Sequence, residues 1–251
     1  MNLNLTNKIY IVIAIVLLLG IIYVVINNRN WDRYNYAANI TAPAAYPVYI
    51  NEAYFLLPND DLESISKEEV NNFTADWQDD FGNINHAKDE LLPTKLVLNY
   101  VSYRGKRFYR DTLELPFKEM KMIFESAKKN KQWLTLSSYA GTKKGLAYMI
   151  GIANDGNVIV WLRGVYLERV ILKTKLKFKE PFADDLYYEK LLSKADYVNF
   201  VFERLSDSVK TMLKNGYNNK SNYIDTPSRY IEKNKELWEY QKKNGFIDFD
   251  R

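Results

Sequence analysis

The 251-residue chain has no cysteine and a single histidine, His86. Without cysteine it forms no disulfide, no thiolate nucleophile and no cysteine-ligated zinc site. No serine motif lies beside His86, so a Ser-His-Asp triad would have to be assembled from distant parts of the chain, and the sequence favours a solvated loop histidine. Because a cysteine-free protein is stable in either redox compartment, its location must be inferred from other features.

Other chemical motifs are also incomplete. The glycines of segment 141–145 do not have the spacing of a phosphate-binding loop. Asp76, Asp79 and Asp80 lie near Gly82 but lack the alternating oxygen donors of an EF-hand loop. Nothing selects one pair of the 31 acidic residues as the acid and base of a glycosidase. We therefore predict no catalytic residue, no metal and no cofactor, in a protein that is not an enzyme.

Basic and aromatic residues alternate along one predicted strand, a composition that also occurs in nucleic-acid-binding proteins. On that strand Arg107 and Tyr109 share one face, whereas Phe108 and Arg110 share the other. A half-buried sheet explains this alternation. The location inferred below also argues against nucleic acid, so no nucleic-acid partner is predicted.

An apolar run extends from Ile9 to Ile26 without a charged residue. As a helix it would span about 27 Å, close to the ~30 Å hydrocarbon core of a bilayer. The apolar region of a secretory signal is usually shorter, roughly 7–15 residues. Neither a small-residue cleavage site nor a lipid-accepting cysteine follows the run. The sequence predicts a transmembrane signal anchor, with the lipid bilayer as its partner, rather than a buried core helix.

The anchor divides the chain into residues 1–30, a cytoplasmic tail with the transmembrane segment, and residues 31–251, a single domain. The charges that flank the run are nearly balanced, so they do not set its orientation. A short tail before the run and a large domain after it are typical of an anchor whose N-terminus stays in the cytoplasm. We expect a single-pass protein of a bacterial inner membrane, with its C-terminal domain in the periplasm.

An acidic excursion is predicted over residues 58–92. Between Asp60 and Glu90 the chain carries ten acidic and two basic residues and lacks a sustained apolar period. Long loops of this kind are often functional. A partner-binding site is predicted where two aromatic side chains lie among carboxylates, at Trp77, Asp79, Asp80 and Phe81. The alternative, which the sequence slightly favours, is that both aromatics only pin the loop to the sheet.

Residues 94–179 have the pattern of a β-meander, because β-branched and aromatic residues are dense and turn signals separate the predicted strands. A helix is predicted over 118–129, with Met122, Ile123 and Ala127 on one broad buried face and Met120 and Phe124 at the flanks of that face. Apolar residues alternate with lysines from Leu172 to Lys179. A lysine-faced edge strand that resists pairing is the favoured explanation, and a stripe for anionic lipid or an acidic partner is the alternative.

Residues 182–251 are predicted to be mainly helical, with a break near 196–199 and a last helix over 229–243. The predicted fold class is α+β: an N-terminal transmembrane helix, then a largely antiparallel sheet, curled or split into a sandwich, covered by C-terminal helices. In the strand 158–163, Trp161 and Leu162 face opposite sides. One of them must therefore meet a covering helix or a partner.

Several short motifs occur in an order that resembles the bacterial domain-of-unknown-function family 2931. The matching residues are Leu92-Pro93, Tyr100 to Tyr103, Phe108-Tyr109, Glu114-Leu115-Pro116, Val160 to Gly164 and Leu213 to Gly216. The resemblance covers about residues 31–216. Many family members resemble lipoproteins, whereas this chain has no lipid-accepting cysteine, and a turn that is often Pro-Gly-Gly in relatives is Asn154-Asp155-Gly156 here.

The resemblance implies an envelope protein similar to those encoded beside type VI secretion effectors of the phospholipase kind, where they act as immunity proteins. The leading hypothesis is therefore a membrane-tethered periplasmic protein that binds and neutralises a cognate effector by blocking its catalytic cleft. The alternatives are an envelope enzyme that acts on lipid or glycan, and a structural scaffold of the envelope.

Overall fold

The computed structural model describes residues 4–28, 33–67, 70, 77, 88–138, 141–203, 205–214 and 221–245. The chain divides into two compact units, Met1–Arg33 and Tyr34–Arg251. In the described residues, the first unit consists of one long helix, and the second contains the sheets and the remaining helices.

Helix α1 (Leu5–Asn28) contains the predicted apolar run. Its first turn is capped by Asn4, whose Oδ1 accepts a hydrogen bond of 2.9 Å from the Asn7 backbone N–H. No part of the stretch Leu5–Val25 is buried. The helix is long and apolar enough to cross a membrane, as a membrane anchor or as a signal sequence.

The described residues of the second unit form four helices and thirteen strands. The helices are α2 (Phe117–Lys129), α3 (Lys194–Glu203), α4 (Asp207–Lys214) and α5 (Tyr230–Lys243). The strands are β1 (Arg33–Thr41), β2 (Val48–Leu56), β3 (Leu62–Ser64), β4 (Lys88–Leu91), β5 (Lys95–Ser102), β6 (Arg107–Glu114), β7 (Leu134–Ser138), β8 (Gly141–Ile152), β9 (Asn157–Gly164), β10 (Leu167–Lys175), β11 (Phe178–Lys179), β12 (Tyr187–Tyr188) and β13 (Lys190–Leu191).

These strands form two large sheets and a small hairpin. Sheet A has the order β10-β9-β8-β1-β4, and β7 also pairs with β8. Sheet B has the order β11-β6-β5-β2-β3, and β12 pairs with β13. Strands β1 and β8 are parallel, with Tyr36 opposite Leu146, whereas the pairs within sheet B are antiparallel. The structure confirms the α+β class and the two-sheet sandwich, with a mixed sheet A.

Sheets A and B pack face to face around one core. Tyr36 and Tyr148 of sheet A contact Phe55 of sheet B, with ring centroids 6.2 and 5.0 Å apart. Helix α2 adds a stripe of buried residues to this core, Met120, Phe124 and Ala127. The prediction that placed Met122 on the buried face of this helix was wrong: its side chain is 66% exposed, since the buried stripe runs through positions 120, 124 and 127.

The outer faces of both sheets are also covered. On sheet B, apolar residues of α3 and α4 pack against Val101 and Phe108. On sheet A, Trp161 is only 3% exposed and packs with Trp77 and Ile224, whereas Leu162 lies in the central core. The prediction that Trp161 and Leu162 face opposite sides, and that one of them needs a cover, is confirmed.

The two ends of the sandwich can be told apart by their contacts. At one end β1 begins beside α2, where Tyr34 Oη donates a hydrogen bond of 2.5 Å to Glu125 Oε1. At the other end the β8–β9 turn places Gly156 against Tyr109 of β6, and a Cβ on Gly156 would lie 2.7 Å from the Tyr109 ring. We call these the Tyr34 end and the Gly156 end. The φ angles of +56° at Asp155 and +81° at Gly156 explain the Asp-Gly pair at this turn.

Segment 182–193 is not helical, in contrast to the prediction. It forms a 3-10 turn, Ala183–Leu186, and then the β12–β13 hairpin. A hydrogen bond of 3.1 Å from the Leu192 N–H to the Leu186 carbonyl closes this segment into a compact turn. The break between the next helices follows Glu203 rather than residues 196–199, and α5 agrees with the predicted last helix within one residue.

Candidate functional site

The four residues of the predicted partner site are described only in part. Trp77 is described, whereas Asp79, Asp80 and Phe81 lie outside the described residues. The half-buried indole of Trp77 lies on the outer face of sheet A, with its ring centroid 5.7 Å from that of Trp161 and 6.0 Å from that of Tyr223.

Trp77 covers a glycine of the sheet directly. A Cβ on Gly151 would lie 2.7 Å from the Trp77 ring and 2.7 Å from the Trp161 ring, so the indole needs the missing side chain. The Trp77 Nε1 atom is buried and has no hydrogen-bond partner among the described residues. These contacts favour the interpretation that Trp77 pins the acidic segment to the sheet.

Beside Trp161, the outer face of sheet A holds a fully buried arginine. Arg163 Nε donates a hydrogen bond of 2.8 Å to Glu168 Oε1, and its guanidinium lies 4.5 Å from the centroid of the Tyr230 ring. Ser228 Oγ donates to the same Glu168 oxygen at 2.7 Å. Ser228 precedes α5 and Tyr230 is its first residue, whereas Arg163 and Glu168 lie on β9 and β10, so the cluster fastens the start of α5 to the sheet.

The lysine-faced strand is an edge strand, since β10 lies at the end of sheet A. Lys173 pairs with Asp225, and beyond β10 Lys179 pairs with Asp111 at 3.7 Å. The edge position agrees with the interpretation that these lysines block pairing with another sheet. Lys175 and Lys177 are exposed beside this edge, immediately before Phe178 in the chain.

A group of large apolar side chains is exposed along the segment that follows. We call it the Phe178–Leu191 surface and define it by Phe178, Phe182, Tyr187, Tyr188 and Leu191. Their side chains are 60%, 64%, 63%, 38% and 61% exposed. An exposed apolar group of this size is typical of a binding surface rather than of the ordinary protein exterior.

Guanidinium groups stack on both phenylalanine rings. The Arg107 guanidinium lies 5.3 Å from the centroid of the Phe178 ring, and that of Arg110 lies 4.6 Å from the Phe182 ring. Arg110 is held in turn by an ion pair with Asp185, which is 9% exposed. Each of the two phenylalanine rings therefore packs against a neighbouring basic side chain.

Asp185 is the centre of this arrangement. Its Oδ1 accepts a hydrogen bond of 2.8 Å from Asn99 Nδ2 and pairs with Arg110, and its Oδ2 accepts one of 2.7 Å from the Phe182 backbone N–H. Asn99 is buried on β5, so the carboxylate connects the exposed segment to the middle of sheet B. Three charge-assisted hydrogen bonds thus set the position of the Phe182 backbone.

The β12–β13 hairpin is held in a single shape as well. Tyr187 Oη donates a hydrogen bond of 3.0 Å to the Glu189 carbonyl, and Glu189 turns the chain with a φ of +58°. The Tyr188 ring packs on Phe200 of α3 with centroids 4.3 Å apart. The exposed apolar residues of this hairpin therefore lie on an ordered turn, whose backbone is already fixed by these contacts.

Burial shifts the pKa of several tyrosine hydroxyls among the described residues. Burial raises the pKa of Tyr100 and Tyr148 well above the ordinary value, so these hydroxyls stay protonated at neutral pH. Burial also raises the pKa of Tyr197, whose Oη donates a hydrogen bond of 2.8 Å to Asn51 Oδ1. Among the described residues no group of three or more His, Cys, Asp or Glu side chains is placed to hold a metal ion.

Sequence reasoning missed the Phe178–Leu191 surface because it assigned residues 182–193 to the helical part that covers the sheet. The available signal was the density of Phe, Tyr and Pro from Phe178 to Tyr188 without helical spacing. The contact of Asp185 with Asn99 joins residues 86 positions apart, and no local pattern indicates it.

Comparison with known proteins gives one match. No curated protein and no solved structure matches the chain. The model of one family, described as "Protein of unknown function (DUF2931)", matches residues 26–235, which include nearly all of the globular unit. The chain therefore belongs to the DUF2931 family, as the order of its short motifs predicted.

Proposed function

We propose that this chain is a membrane-tethered binding protein, held in a bacterial inner membrane by α1, with its globular unit on the periplasmic side. One observation carries the proposal. The apolar helical stretch Leu5–Val25 is not buried against the rest of the protein, and it precedes a separate folded unit. Insertion of such a helix is favourable, because each of its many Ile, Leu and Val residues contributes about −0.3 to −0.6 kcal/mol.

Binding of a protein partner is supported by the Phe178–Leu191 surface. Aromatic and arginine side chains dominate the energetically important positions of protein interfaces. Here both kinds of side chain occur together, at Phe178 with Arg107 and at Phe182 with Arg110, and both rings are more than half exposed.

The more specific proposal is an immunity protein that neutralises a type VI secretion effector of the phospholipase kind. It rests on the family resemblance described above, which points to envelope proteins encoded beside such effectors. The chain would act by covering the catalytic cleft of the effector and would not itself be an enzyme. The acidic segment with Asp79 and Asp80 remains a predicted contact for a basic region of the partner.

Co-purification tests this function. The full chain, extracted in detergent from membranes, is expected to retain the product of a phospholipase effector gene encoded beside its own gene and to abolish its lipase activity. An effector that neither associates with the membrane-extracted chain nor loses activity would contradict the proposal. A neighbouring operon of metabolic enzymes would favour the envelope enzyme instead.

A further inference from the structure

We propose that β1 is a load-bearing strand, placed so that tension on the N-terminal tether acts on its whole hydrogen-bonded length and on its core side chains at once. The inference rests on the proposed function, which supplies the tether, and adds that the globular unit resists being unfolded by that tether. Because the tension passes through the covalent chain, the proposal does not depend on how the two units are arranged at rest.

The tether leads directly into β1. Residues 29–32 connect α1, which ends at Asn28, to β1, which begins at Arg33. Among the described residues, β1 is the first element of the globular unit. A partner that is bound by the globular unit and displaced relative to the membrane therefore pulls on β1 before it pulls on any other strand.

Strand β1 is a central strand with neighbours on both sides. It lies between β8 and β4 in sheet A. Its pairing with β8 is parallel and runs from Tyr36 opposite Leu146 to Thr41 opposite Gly151. Parallel strands start at the same end of a sheet, so a force that pulls the start of β1 outward and the far end of β8 the other way acts along both strands. The hydrogen bonds of the ladder then share the force and must break together.

The core side of β1 resists sliding as well. Alternate residues of the strand are buried in the central core, namely Tyr34, Tyr36, Ala38 and Ile40. The centroid of the Tyr36 ring lies 6.2 Å from that of Phe55 and 5.3 Å from that of Tyr148. Tyr36 Oη donates a hydrogen bond of 3.1 Å to the Leu91 carbonyl. A slip of β1 by one residue would turn these side chains away from the core, and a slip by two would put the Ala38 methyl where the Tyr36 ring packs.

The C-terminal part of the globular unit is attached in a different way. Helix α5 packs through Tyr230 and Trp238 on a small cluster that is separate from the central core. Strand β10 lies at the edge of sheet A, where it pairs with β9. Tension at the C-terminus would therefore detach α5 and then edge strands one after another, whereas tension at the N-terminus has to move a central strand.

Force spectroscopy with two attachment points along β8 tests the proposal. The sequence contains no cysteine, so one introduced cysteine gives a unique attachment point. The full chain, in detergent, is pulled between a handle at Met1 and either Asp155→Cys, after the end of β8, or Lys144→Cys, beside the start of β1. Both positions are exposed. The first pair of handles loads β1 along its axis, and the second pair loads it across the sheet.

The two geometries should give different unfolding forces at the same loading rate. We expect the force to be at least about twofold larger with Asp155→Cys, because bonds loaded along the strands break together and bonds loaded across them break in turn. The control is thermal unfolding without force, in which the two variants should have the same melting temperature. Equal forces, or a smaller force with Asp155→Cys, would overturn the proposal.

A matched pair of core variants separates load bearing from general stability. Ile40→Ala on β1 and Ile171→Ala on β10 remove the same atoms from the central core and should lower the melting temperature by similar amounts. With the Asp155→Cys handle, only Ile40→Ala should lower the unfolding force. A force that Ile171→Ala lowers as much as Ile40→Ala would overturn the proposal. Ile40→Val and Ile171→Val replace the alanine variants if either of those does not fold.

The tether itself is tested separately. Alkaline carbonate extraction should leave the full chain in the membrane pellet. Release of the chain would contradict the tether and the proposed function, while the force measurement would still decide how β1 responds to tension. Equal forces in the two geometries would overturn the role of β1 and leave a tethered binding protein intact.

Discussion

At the scale of single residues, two buried tyrosines of the core differ in whether the hydroxyl has a hydrogen-bond partner among the described residues, and this difference affects the stability of the protein. Tyr100 lies in the central core, 1% exposed and stacked on Tyr109 with centroids 5.0 Å apart. Its hydroxyl is buried without a hydrogen-bond partner in the described part of the chain. The Tyr148 hydroxyl, in contrast, is 3.6 Å from Met120 Sδ. An unpaired buried hydroxyl lowers stability because it loses its hydrogen bonds to water.

Tyr100→Phe should therefore stabilise the protein. We expect the free energy of unfolding to rise by about 1 kcal/mol, because the ring keeps its packing and the unpaired oxygen is removed. The measurement is thermal unfolding of the full chain in detergent, followed by tryptophan fluorescence. Tyr148→Phe is the control and should give no increase. A lower melting temperature for Tyr100→Phe would show that its hydroxyl has a stabilising partner.

Trp77 and the neighbouring aspartates should respond differently to substitution. Trp77→Ala removes contacts with Trp161, Tyr223 and the surface of Gly151, so we expect a loss of about 2–4 kcal/mol in the free energy of unfolding.

Asp79→Asn with Asp80→Asn should leave the melting temperature unchanged but slow association with a basic partner and reduce the salt dependence of that association. Unchanged association kinetics of a stable double variant would remove these aspartates from the interface.

At the scale of elements, the outer face of sheet A depends on the C-terminal segment as a cover. Trp238 of α5 is 3% exposed, with its ring 4.9 Å from that of Tyr166 and 5.4 Å from that of Tyr230. Tyr230 Oη in turn donates a hydrogen bond of 3.2 Å to the Gly164 carbonyl. Helix α5 is thus fastened where β9 turns into β10.

Trp238→Ala should release α5 without unfolding the sandwich. Amide hydrogen exchange is expected to become faster over residues 228–243 and around residues 163–168, while β5 and β6 keep their protection. The control is Leu237→Ala at the adjacent position, which is 51% exposed and should leave exchange unchanged. Equal protection of α5 in both variants would mean that other contacts hold the helix.

The strands could be predicted from the sequence more accurately than the segments that cover the outer faces of the sheets. Strands β5 and β6 and their turn were predicted within one or two residues, because alternation and turn residues are local signals. The prediction that residues 182–193 are helical was wrong. Leu186 and Leu192 both pack against the cluster on the outer face of sheet B, but they do so from a closed turn. Their spacing in the sequence resembles that of the buried face of a helix, so the local pattern does not distinguish the two structures. The parallel pairing of β1 with β8 and the position of Asp185 depend on contacts far apart in sequence, which local patterns do not carry.

At the scale of the whole molecule, the account makes a prediction about orientation. Under the proposed function the anchor holds the globular unit on the periplasmic side, so we expect the C-terminus to lie outside the cytoplasm. A reporter that is active only outside the cytoplasm should work when it is fused after Arg251. A second reporter, active only in the cytoplasm, is the control, and strong activity of that reporter in membrane-bound protein would reverse the orientation.

Protection of living cells tests the central claim most directly, because it requires tethering, location and binding together. In this test, a phospholipase effector of the proposed kind is exported to the periplasm of cells that produce either no chain, the full chain, or the full chain with Phe178→Ala and Phe182→Ala. We predict that only the unaltered full chain restores growth and membrane integrity, with equal amounts of both proteins in the membrane fraction. Cells that lyse at the same rate with and without the full chain in their membranes would contradict the account.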